Sequence, residues 1–229
     1  MIQGQRNDRD KSATQNSNLQ SDNKDLQPYP QKQYTYANSR YKDVYSATFF
    51  RKAASSIPLQ SGMRVLDLGC GTAAFGLAVA ARWGPGLELY GIDLSSKQLS
   101  HANAKADRSG APFRFCQGSM GALPFKPGMF DAVVASLVFV AVPANVRRAA
   151  IPEVARVLKP KGIFALVDWS RPRFGIHTVV SLLSFLIFAP DWRDHWNNVY
   201  PGLCSGVNLM LDKDCYLNSL IRCQVFRKA

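Results

Sequence analysis

The chain has 229 residues, 47% of them hydrophobic and 19% charged, which fits one globular domain with an appendage and excludes wholesale disorder. No uncharged run reaches the roughly 18 to 20 residues of a membrane-spanning helix, so a membrane-spanning bundle is excluded. The net charge of +12 favours anionic partners: nucleic acid, acidic lipid head groups or phosphorylated small molecules. The five cysteines are scattered and fit neither a disulfide framework nor a paired metal site, so we expect a cytoplasmic protein without a bound metal.

The chain begins with a polar stretch that changes composition near residue 34. Residues 1–33 hold too few large apolar side chains to offset the entropy of ordering, and a disordered tail is predicted. Residues 34–62 are predicted to contain an N-terminal helix, because Tyr41, Tyr45 and Phe49 recur at the spacing of one helical face. This helix either caps the core or acts as a lid over a pocket.

Residues 63–170 alternate between β-rich and helical runs. Five strands are predicted, at 64–68, 87–93, 113–117, 130–136 and 162–168. Helices are predicted over 73–82 and from an N-cap at Ser95 to just before Gly110, and a third helix is predicted to start at Pro152. Such alternation with continuous apolar strands predicts an α/β fold, whose mostly parallel sheet carries helices on both faces.

The first predicted strand runs into a helix through the sequence V-L-D-L-G-C-G-T, residues 65–72. Gly69 and Gly71 let a ligand approach backbone N–H groups at the positive end of that helix. The next strand ends at Asp93, where a carboxylate can accept both hydroxyls of an adenosine ribose. Together these features predict a nucleoside cofactor.

A charge beside the glycines selects among nucleoside cofactors. Read as G-x-G-x-x-A, residues 69–74 also fit a dinucleotide fingerprint that cradles a pyrophosphate. Asp67, two residues before the first glycine, would repel a pyrophosphate and attract the ammonium group of a methionine moiety. At an effective dielectric of about 20 this preference amounts to a few kcal/mol at contact distance. The sequence therefore favours a sulfonium cofactor over a nicotinamide dinucleotide.

These motifs, with L-P-F at 123–125, F-D-A-V-V at 130–134 and R-V-L-K-P at 156–160, resemble the class I S-adenosylmethionine-dependent methyltransferases over residues 64–168. The resemblance implies a doubly wound, Rossmann-like methyltransferase fold, with S-adenosyl-L-methionine as the cofactor. The cofactor-binding residues that it implies are Asp67, Gly69, Cys70, Gly71, Asp93, Leu94, Ser119, Met120 and Ser136. Of these, Asp93 and Leu94 would hold the ribose, Ser119 and Met120 would flank the adenine, and Ser136 would begin the loop that faces the methyl group.

Three features depart from the family pattern, of which Lys161-Gly162, in place of the usual Gly-Gly before the fifth strand, only alters a turn. Ser119 stands where an acidic residue is common. The family also ends with an antiparallel strand pair, whereas here Asp212–Arg222 looks helical and leaves only residues 223–229 for a strand. We therefore predict an incomplete sheet edge, an edge completed by swapping or by a homodimer, or the shortened product of a longer ancestor.

Residues 171–229 are predicted to form a substrate-side helical segment and a terminal strand. Methyl transfer from a sulfonium is an in-line displacement that mainly needs alignment, so no catalytic residue is assigned. The candidates for contact with the acceptor are Tyr36, Tyr41, Asp168, Trp169, His177 and His195, and among them Tyr41, His177 and Asp168 are the catalytic candidates.

The substrate-side segment contains sixteen consecutive residues without a formal charge, Phe174–Ala189. As a helix it would reach about 24 Å, short of a bilayer core of about 30 Å. Basic and aromatic residues flank it: Arg171 and Arg173 before, then Trp192, Trp196 and Tyr200. This pattern is typical of a helix at a membrane interface, which would give peripheral membrane contact, or of a buried helix that roofs an apolar pocket. Both interpretations predict a lipophilic acceptor.

The segment Tyr36–Tyr45 is similar to the N-terminal helix of the branch that methylates quinone precursors, phospholipid head groups and related lipophilic metabolites. A nucleic-acid partner is not expected, because the fourth strand lacks the Asn- or Asp-Pro-Pro-aromatic signature and the positive charges form no visible stripe. The sequence thus predicts a methyltransferase for a small lipophilic acceptor. The alternative is a non-catalytic methyltransferase-fold scaffold or a membrane-surface binding protein.

Overall fold

The computed structural model of the protein describes residues 45–173 and 191–229. The helices in these ranges are α1 (Ala47–Ser56), α2 (Ala74–Trp83), α3 (Ser96–Ser109), α4 (Ala144–Val157), α5 (Arg193–Asn197) and α6 (Tyr200–Ser205). The strands are β1 (Arg64–Leu68), β2 (Glu88–Asp93), β3 (Phe113–Gln117), β4 (Phe130–Ser136), β5 (Leu158–Trp169), β6 (Leu209–Tyr216) and β7 (Ile221–Lys228). Two short 3-10 turns lie at Gly84–Gly86 and Phe139–Ala141.

The seven strands form one sheet in the order β3-β2-β1-β4-β5-β7-β6. Strands β1 to β5 are parallel, whereas β7 is antiparallel to both β5 and β6. The strand order reverses between β1 and β4, and in doubly wound sheets the crevice outside the carboxyl ends at this switch point receives the ligand. The predicted doubly wound fold is confirmed, and the switch point locates its candidate site.

Two apolar layers cover the faces of the sheet. Phe164 and Leu166 of β5 pack on the face covered by α4 and α6, whereas Ala165 and Val167 pack on the face covered by α1 and α2. Successive strand residues point to opposite faces. The last two residues of β5, Asp168 and Trp169, consequently lie on opposite sides of the sheet.

The prediction of an incomplete sheet edge is wrong. The segment Asp212–Arg222, which looked helical in the sequence, contains most of β6, the hairpin turn and the start of β7. Strand β6 lies at the edge and exposes its five residues 210–214, so it lacks the alternating apolar pattern that marks a strand. Its charged residues pair across the hairpin, Asp214 with Arg222 at 2.5 Å and Asp212 with Arg227 at 2.8 Å. No second copy is needed to complete the sheet.

The prediction that a helix starts at Pro152 is also wrong. Helix α4 begins at Ala144 and contains Pro152 in its interior. The buried residues of α4 recur at helical spacing and include Val146, Ala150, Ile151, Val154 and Ala155. Burial of this face against the sheet outweighs the cost of about 3 kcal/mol for an interior proline.

In the described part of the predicted N-terminal segment, Tyr45 precedes the helix rather than lying within it. Helix α1 starts at Ala47, and Oγ of its N-cap Ser46 accepts a hydrogen bond from N of Phe49 at 3.2 Å. Tyr45 and Phe49 are in contact, with ring centroids 4.7 Å apart. Tyr36, Tyr41, His177 and the run Phe174–Ala189 lie outside the described residues. Within the described ranges, the helices are too short or too polar to cross a bilayer.

Candidate active site

The glycine turn after β1 lies directly against the loop that follows β4. Gly69 and Gly71 have φ angles of 67° and 52°, in the region that favours glycine. A Cβ at Gly69 would stand 2.3 Å from a methyl carbon of Val138. Only glycine fits at this position, and the contact brings the two loops of the switch point together.

Asp67 is buried at the end of β1 and caps the following helix. Its Oδ2 accepts a hydrogen bond from N of Gly76 at 3.2 Å, in the first turn of α2, whose N-cap residue Ala73 makes no side-chain cap. Burial raises the pKa of Asp67 to about 7, the Gly76 hydrogen bond opposes this rise, and the charge of Asp93 adds to it. No described residue donates to Oδ1, so this oxygen can accept from a cationic ligand.

Asp93 links the glycine turn to the start of α3. Its Oδ2 accepts from N of Gly71 at 2.8 Å, and its Oδ1 accepts from N of Ser95 at 2.9 Å. Burial raises the pKa of Asp93, although these hydrogen bonds oppose the rise. Each carboxylate oxygen keeps a second lone pair that can accept a hydroxyl.

Neighbouring backbone fixes the other residues near Asp93. Cys70 donates its N–H to the carbonyl of Ile92 at 3.0 Å, and burial raises the pKa of its thiol, so this cysteine packs as an apolar side chain. The carbonyl of Leu94 accepts from Nε2 of Gln117 at 3.0 Å. The sequence motifs did not single out Gln117, whose only signal is its place as the last residue of β3.

The predicted adenine residues lie in the turn after β3. N of Gly118 donates to the carbonyl of Asp93 at 3.1 Å, which ties this turn to the end of β2. Ser119 Oγ accepts from N of Gly121 at 3.2 Å, and Met120 packs half-buried against the core. The turn therefore stands at the same end of the sheet as the glycine turn.

Ser136 ends β4 beside the switch point and holds a polar atom that lacks a partner. Its Oγ is buried, and no residue in the described ranges forms a hydrogen bond with it. The next residue, Leu137, has a φ angle of 56°, which costs a non-glycine residue about 1 to 2 kcal/mol. Buried polar groups are normally paired, so this hydroxyl fits a site that receives a polar ligand.

The structure brings the nine predicted cofactor residues to one end of the sheet, at the carboxyl ends of β1 to β4. Their direct contact with a cofactor stays a prediction. The sequence motifs missed Gly76, although a Cβ at this position would lie 2.3 Å from the Phe113 ring and 3.1 Å from Oδ2 of Asp67. Its signal is a glycine inside a helix, where glycine is unfavourable unless space requires it.

Trp169 lies beside the crevice on the α1 face. Its Nε1 donates to Oη of Tyr45 at 2.7 Å, which ties the segment before α1 to the end of β5. Phe49 and Leu137 pack against the same core layer. These four residues, Tyr45, Phe49, Leu137 and Trp169, form what we call the aromatic wall.

Asp168 lies on the opposite face and holds the loop after β4. Its Oδ2 accepts from N of Val140 at 3.1 Å, and its Oδ1 accepts from N of Trp169 at 2.7 Å. Burial raises the pKa of Asp168 to about 7 against these backbone hydrogen bonds. The contacts give Asp168 a structural role, and a catalytic role for it stays a prediction.

His195 is buried near Asp168, among polar side chains that come from segments distant in the sequence. Its ring nitrogens lie 3.1 Å from Oη of Tyr200. Burial and the charge of Arg147 lower the pKa of His195 to about 4, so the ring is neutral at neutral pH. Arg147 is fully buried and pairs with Asp194 at 3.0 Å. Asp168, His195 and Tyr200 also line a small cavity.

Known proteins are similar to this chain in sequence and in fold. The family model for a methyltransferase domain matches residues 65–162. A demethylmenaquinone methyltransferase of Thermus thermophilus is 33% identical over 137 residues, which are 59% of this chain and 61% of that protein. A sterol 24-C-methyltransferase of Gibberella zeae is 32% identical over 118 residues, 51% of this chain and 30% of that protein.

Residues 65–162, less than half of the chain, are therefore similar to a methyltransferase domain. The fold agrees, since the structure of an S-adenosylmethionine-dependent methyltransferase from Aquifex aeolicus superposes with a TM-score of 0.66 at 14% identity, covering 88% of this chain and 100% of that one. This chain spans 30% and 61% of the two curated relatives' own length.

Proposed function

We propose that the protein binds S-adenosylmethionine and transfers its methyl group to a small lipophilic acceptor. The observation that carries this proposal is the glycine turn at the switch point, with the carboxylates of Asp67 and Asp93 on either side of it. The buried hydroxyl of Ser136, at the end of the neighbouring strand β4, has no partner among the described residues. The match of residues 65–162 to a methyltransferase domain supports the methyl donor.

The chain's own residues would bind and orient the donor. S-adenosylmethionine supplies an electrophilic methyl group on sulfur, and in-line transfer of this group needs alignment more than acid–base chemistry. Asp67 would hold the donor's ammonium group through Oδ1, and Asp93 would accept from the ribose hydroxyls. The absence of side chains at Gly69 and Gly71 lets the donor approach the backbone.

The contacts of Asp67 favour this donor over a dinucleotide. A pyrophosphate needs free N–H groups at the start of the helix, whereas Asp67 occupies the N–H of Gly76 in the first turn of α2. When ionised, Asp67 and Asp93 would both repel phosphate groups. The same charges attract a cationic donor.

The aromatic wall supports a lipophilic acceptor. It adjoins the glycine turn through the loop after β4, because Leu137 belongs to the wall and the next residue, Val138, contacts Gly69. Two of the curated relatives are named for methylation of demethylmenaquinone and of a sterol, both lipophilic compounds. We extend this acceptor class, not a particular acceptor, to the present chain.

Two further predictions belong to the proposal. We expect a cytoplasmic protein without a nucleic-acid partner. A homodimer stays a prediction, but the complete seven-stranded sheet removes the structural reason for it. The alternative of a non-catalytic scaffold rested on the apparently shortened C-terminal sheet edge and on Ser119. The complete sheet removes the first reason and leaves only the replacement of an acid by Ser119.

Calorimetric titration with S-adenosylmethionine and, separately, with NAD tests the donor. We expect saturable binding of S-adenosylmethionine and none of NAD, and NAD binding that strengthens in Asp67→Asn would overturn the assignment. Incubation with the methyl-labelled donor and a cellular lipid extract then tests the acceptor. Label in the organic phase supports a lipophilic acceptor, and label only in water-soluble products contradicts it.

A further inference from the structure

Basic and aromatic side chains form a continuous surface around the end of β5, α5 and the end of β6. The guanidinium of Arg171 lies 5.4 Å from the ring centroid of Trp196, whose ring is 5.8 Å from that of Trp192. Arg193 lies 5.9 Å from the Trp192 ring. Tyr216 continues the surface, since its Oη donates to the carbonyl of Arg171 at 3.0 Å and the Arg173 guanidinium lies 4.9 Å from its ring. We call these six residues the basic aromatic surface.

The arginines of this surface differ from seven other arginines of the described ranges, each of which pairs with a carboxylate. These are Arg64, Arg114, Arg147, Arg148, Arg156, Arg222 and Arg227. In the described part of the chain, no carboxylate lies within ion-pair distance of Arg171, Arg173 or Arg193. These three exposed guanidinium groups instead lie over aromatic rings, which leaves their charge uncompensated.

Nearby carboxylates are engaged elsewhere. Asp194 accepts from Arg147 and Arg148, and Asp214 accepts from Arg222. Oδ2 of Asp191 accepts from N of Ala144 at 2.8 Å. With respect to the described residues, the surface therefore presents three cations without a carboxylate partner, interleaved with three half-buried aromatic rings.

We propose that the basic aromatic surface binds the anionic head groups of a lipid bilayer. Guanidinium groups donate paired hydrogen bonds to phosphate, and their long stems follow apolar surface while the charge stays in the polar layer. Tryptophan and tyrosine rings favour the head-group level of a bilayer. Both requirements are met on one surface, by residues from three separate segments of the chain.

The position of this surface gives the binding a consequence for the proposed function. Arg171 follows Trp169 of the aromatic wall by two residues, so the basic aromatic surface begins next to the wall that supports a lipophilic acceptor. Docking at this surface brings the methyltransferase crevice close to the bilayer in which such an acceptor dissolves. Membrane binding itself does not require that the proposed acceptor class is right.

Vesicle flotation with the full chain tests the surface. The vesicles contain phosphatidylcholine alone or phosphatidylcholine with phosphatidylserine, at low and at high salt. We expect flotation only with phosphatidylserine and release by high salt, because screening weakens exposed charge interactions. The triple variant Arg171→Gln, Arg173→Gln, Arg193→Gln should lower the partition coefficient about 100-fold, since each basic residue at an anionic surface contributes about 1 kcal/mol.

A second triple variant is the matched control. Arg51→Gln, Arg82→Gln, Arg108→Gln removes the same charge, and it also removes a guanidinium that lies over an aromatic ring, Arg82 over Trp83 at 4.8 Å. We expect this control to lose only a few-fold in partition through the lower net charge. Equal losses in the two triple variants would show that total charge, not this surface, carries the binding, and would overturn the proposal.

Two other results would also overturn it. One is failure of the unmodified protein to float with phosphatidylserine vesicles at low salt. The other is retention of a single-stranded oligonucleotide, but not of vesicles, with the loss confined to the first triple variant. Calorimetry with S-adenosylmethionine on both triple variants shows that the crevice is intact, so that a failure of membrane binding is distinguished from a failure of the proposed function.

Discussion

The crevice at the ends of β1 to β4 and the region beyond β5 are both built from buried polar side chains, but their partners come from different distances along the chain. Asp67 and Gly76 are 9 positions apart, and Asp93 and Gly71 are 22 apart. Beyond β5, Arg147 and Asp194 are 47 positions apart, and Tyr45 and Trp169 are 124 apart. Contacts between residues close in the chain produce a motif that can be recognised in the sequence, whereas contacts between distant segments do not.

The two regions also differ in how charge is compensated. In the crevice, backbone N–H groups rather than cations hold Asp67 and Asp93, so a cationic ligand can gain from both carboxylates. Beyond β5, the buried charge of Arg147 is already paired with Asp194. The first arrangement suits binding and the second suits stability, and the following substitutions separate them.

Loss of Arg147 should have the largest effect, and on stability alone. Arg147→Met removes the ion pair with Asp194 and the donors to the carbonyls of Phe139 and Val142, which stay buried. We expect the free energy of unfolding in urea to fall by about 3 to 5 kcal/mol, the usual cost of breaking a buried pair. Arg148→Ala, which removes an exposed partner of the same Asp194, should cost less than about 1 kcal/mol. Similar losses in both variants would show that burial of Arg147 contributes nothing.

Loss of Asp93 should instead weaken binding of the donor. Asp93→Ala removes acceptors for the ribose hydroxyls and leaves the N–H groups of Gly71 and Ser95 without their carboxylate. We expect the affinity for S-adenosylmethionine in calorimetry to fall by about 2 kcal/mol, roughly thirtyfold, the value of a hydrogen bond to a charged group. Asp107→Ala, on the exposed side of α3, is the control and should leave affinity unchanged. An unchanged affinity in Asp93→Ala would remove Asp93 from the proposed site.

The protonation of Asp67 should make donor binding depend on pH. The pKa of Asp67 is raised to about 7 by burial, so below that pH the free protein holds it neutral. An ammonium group favours the ionised form, and affinity should therefore rise up to about tenfold per pH unit as the pH approaches about 7 from below. Near pH 8 the amino group of the donor begins to lose its own charge, which limits the rise.

The control for this pH dependence is Asp67→Asn, which has no titrating group at the position. Its affinity for S-adenosylmethionine should be weaker near neutral pH and flat over the acid range in the same calorimetric titrations. A variant that keeps the pH dependence of the unmodified protein would assign the titration to another group.

The contact between Tyr45 and Trp169 should give the smallest effect and mark the acceptor side. Tyr45→Phe, Trp169→Phe and the double variant form a cycle that isolates the hydrogen bond of 2.7 Å, with an expected coupling of about 1 kcal/mol. Once an acceptor is identified, we expect a raised KM for it, with no change in affinity for S-adenosylmethionine. Loss of donor affinity in these variants would place the pair in the crevice rather than in the aromatic wall.

The sequence predicted the first half of the fold because each element there carries its own signal. Ser95 caps α3 through a bond from N of Gln98 at 3.3 Å, and Gly110 ends α3 with a φ angle of 65°, both as predicted. The first four predicted strands match β1 to β4 within one residue. Helix caps and buried parallel strands depend on local residue types, which can be recognised directly in the amino-acid sequence.

The C-terminal half was harder to predict because its local signals conflict with its environment. Strand β6 exposes a run of charged residues and resembles a helix, and Pro152 suggests a break where α4 continues. In both places a buried neighbour decides the outcome: β7 pairs with β6, and the sheet packs beneath α4. The intrinsic helix and strand propensities of single residues are too small to override the free energy of such packing.

By itself the sequence determined the methyltransferase motifs, the placement of the glycine turn and Asp93 at neighbouring strand ends, and the excess of positive charge. Only the tertiary structure decided that the sheet is complete, that Asp67 caps a helix, and that Asp168 and Trp169 face opposite sides. It also decided that Arg171, Arg173 and Arg193 lie over aromatic rings without a carboxylate partner among the described residues. The physical reason is range: turns, caps and strand ends follow from neighbouring residues, whereas burial, pairing and shared surfaces depend on which distant segments the fold brings into contact.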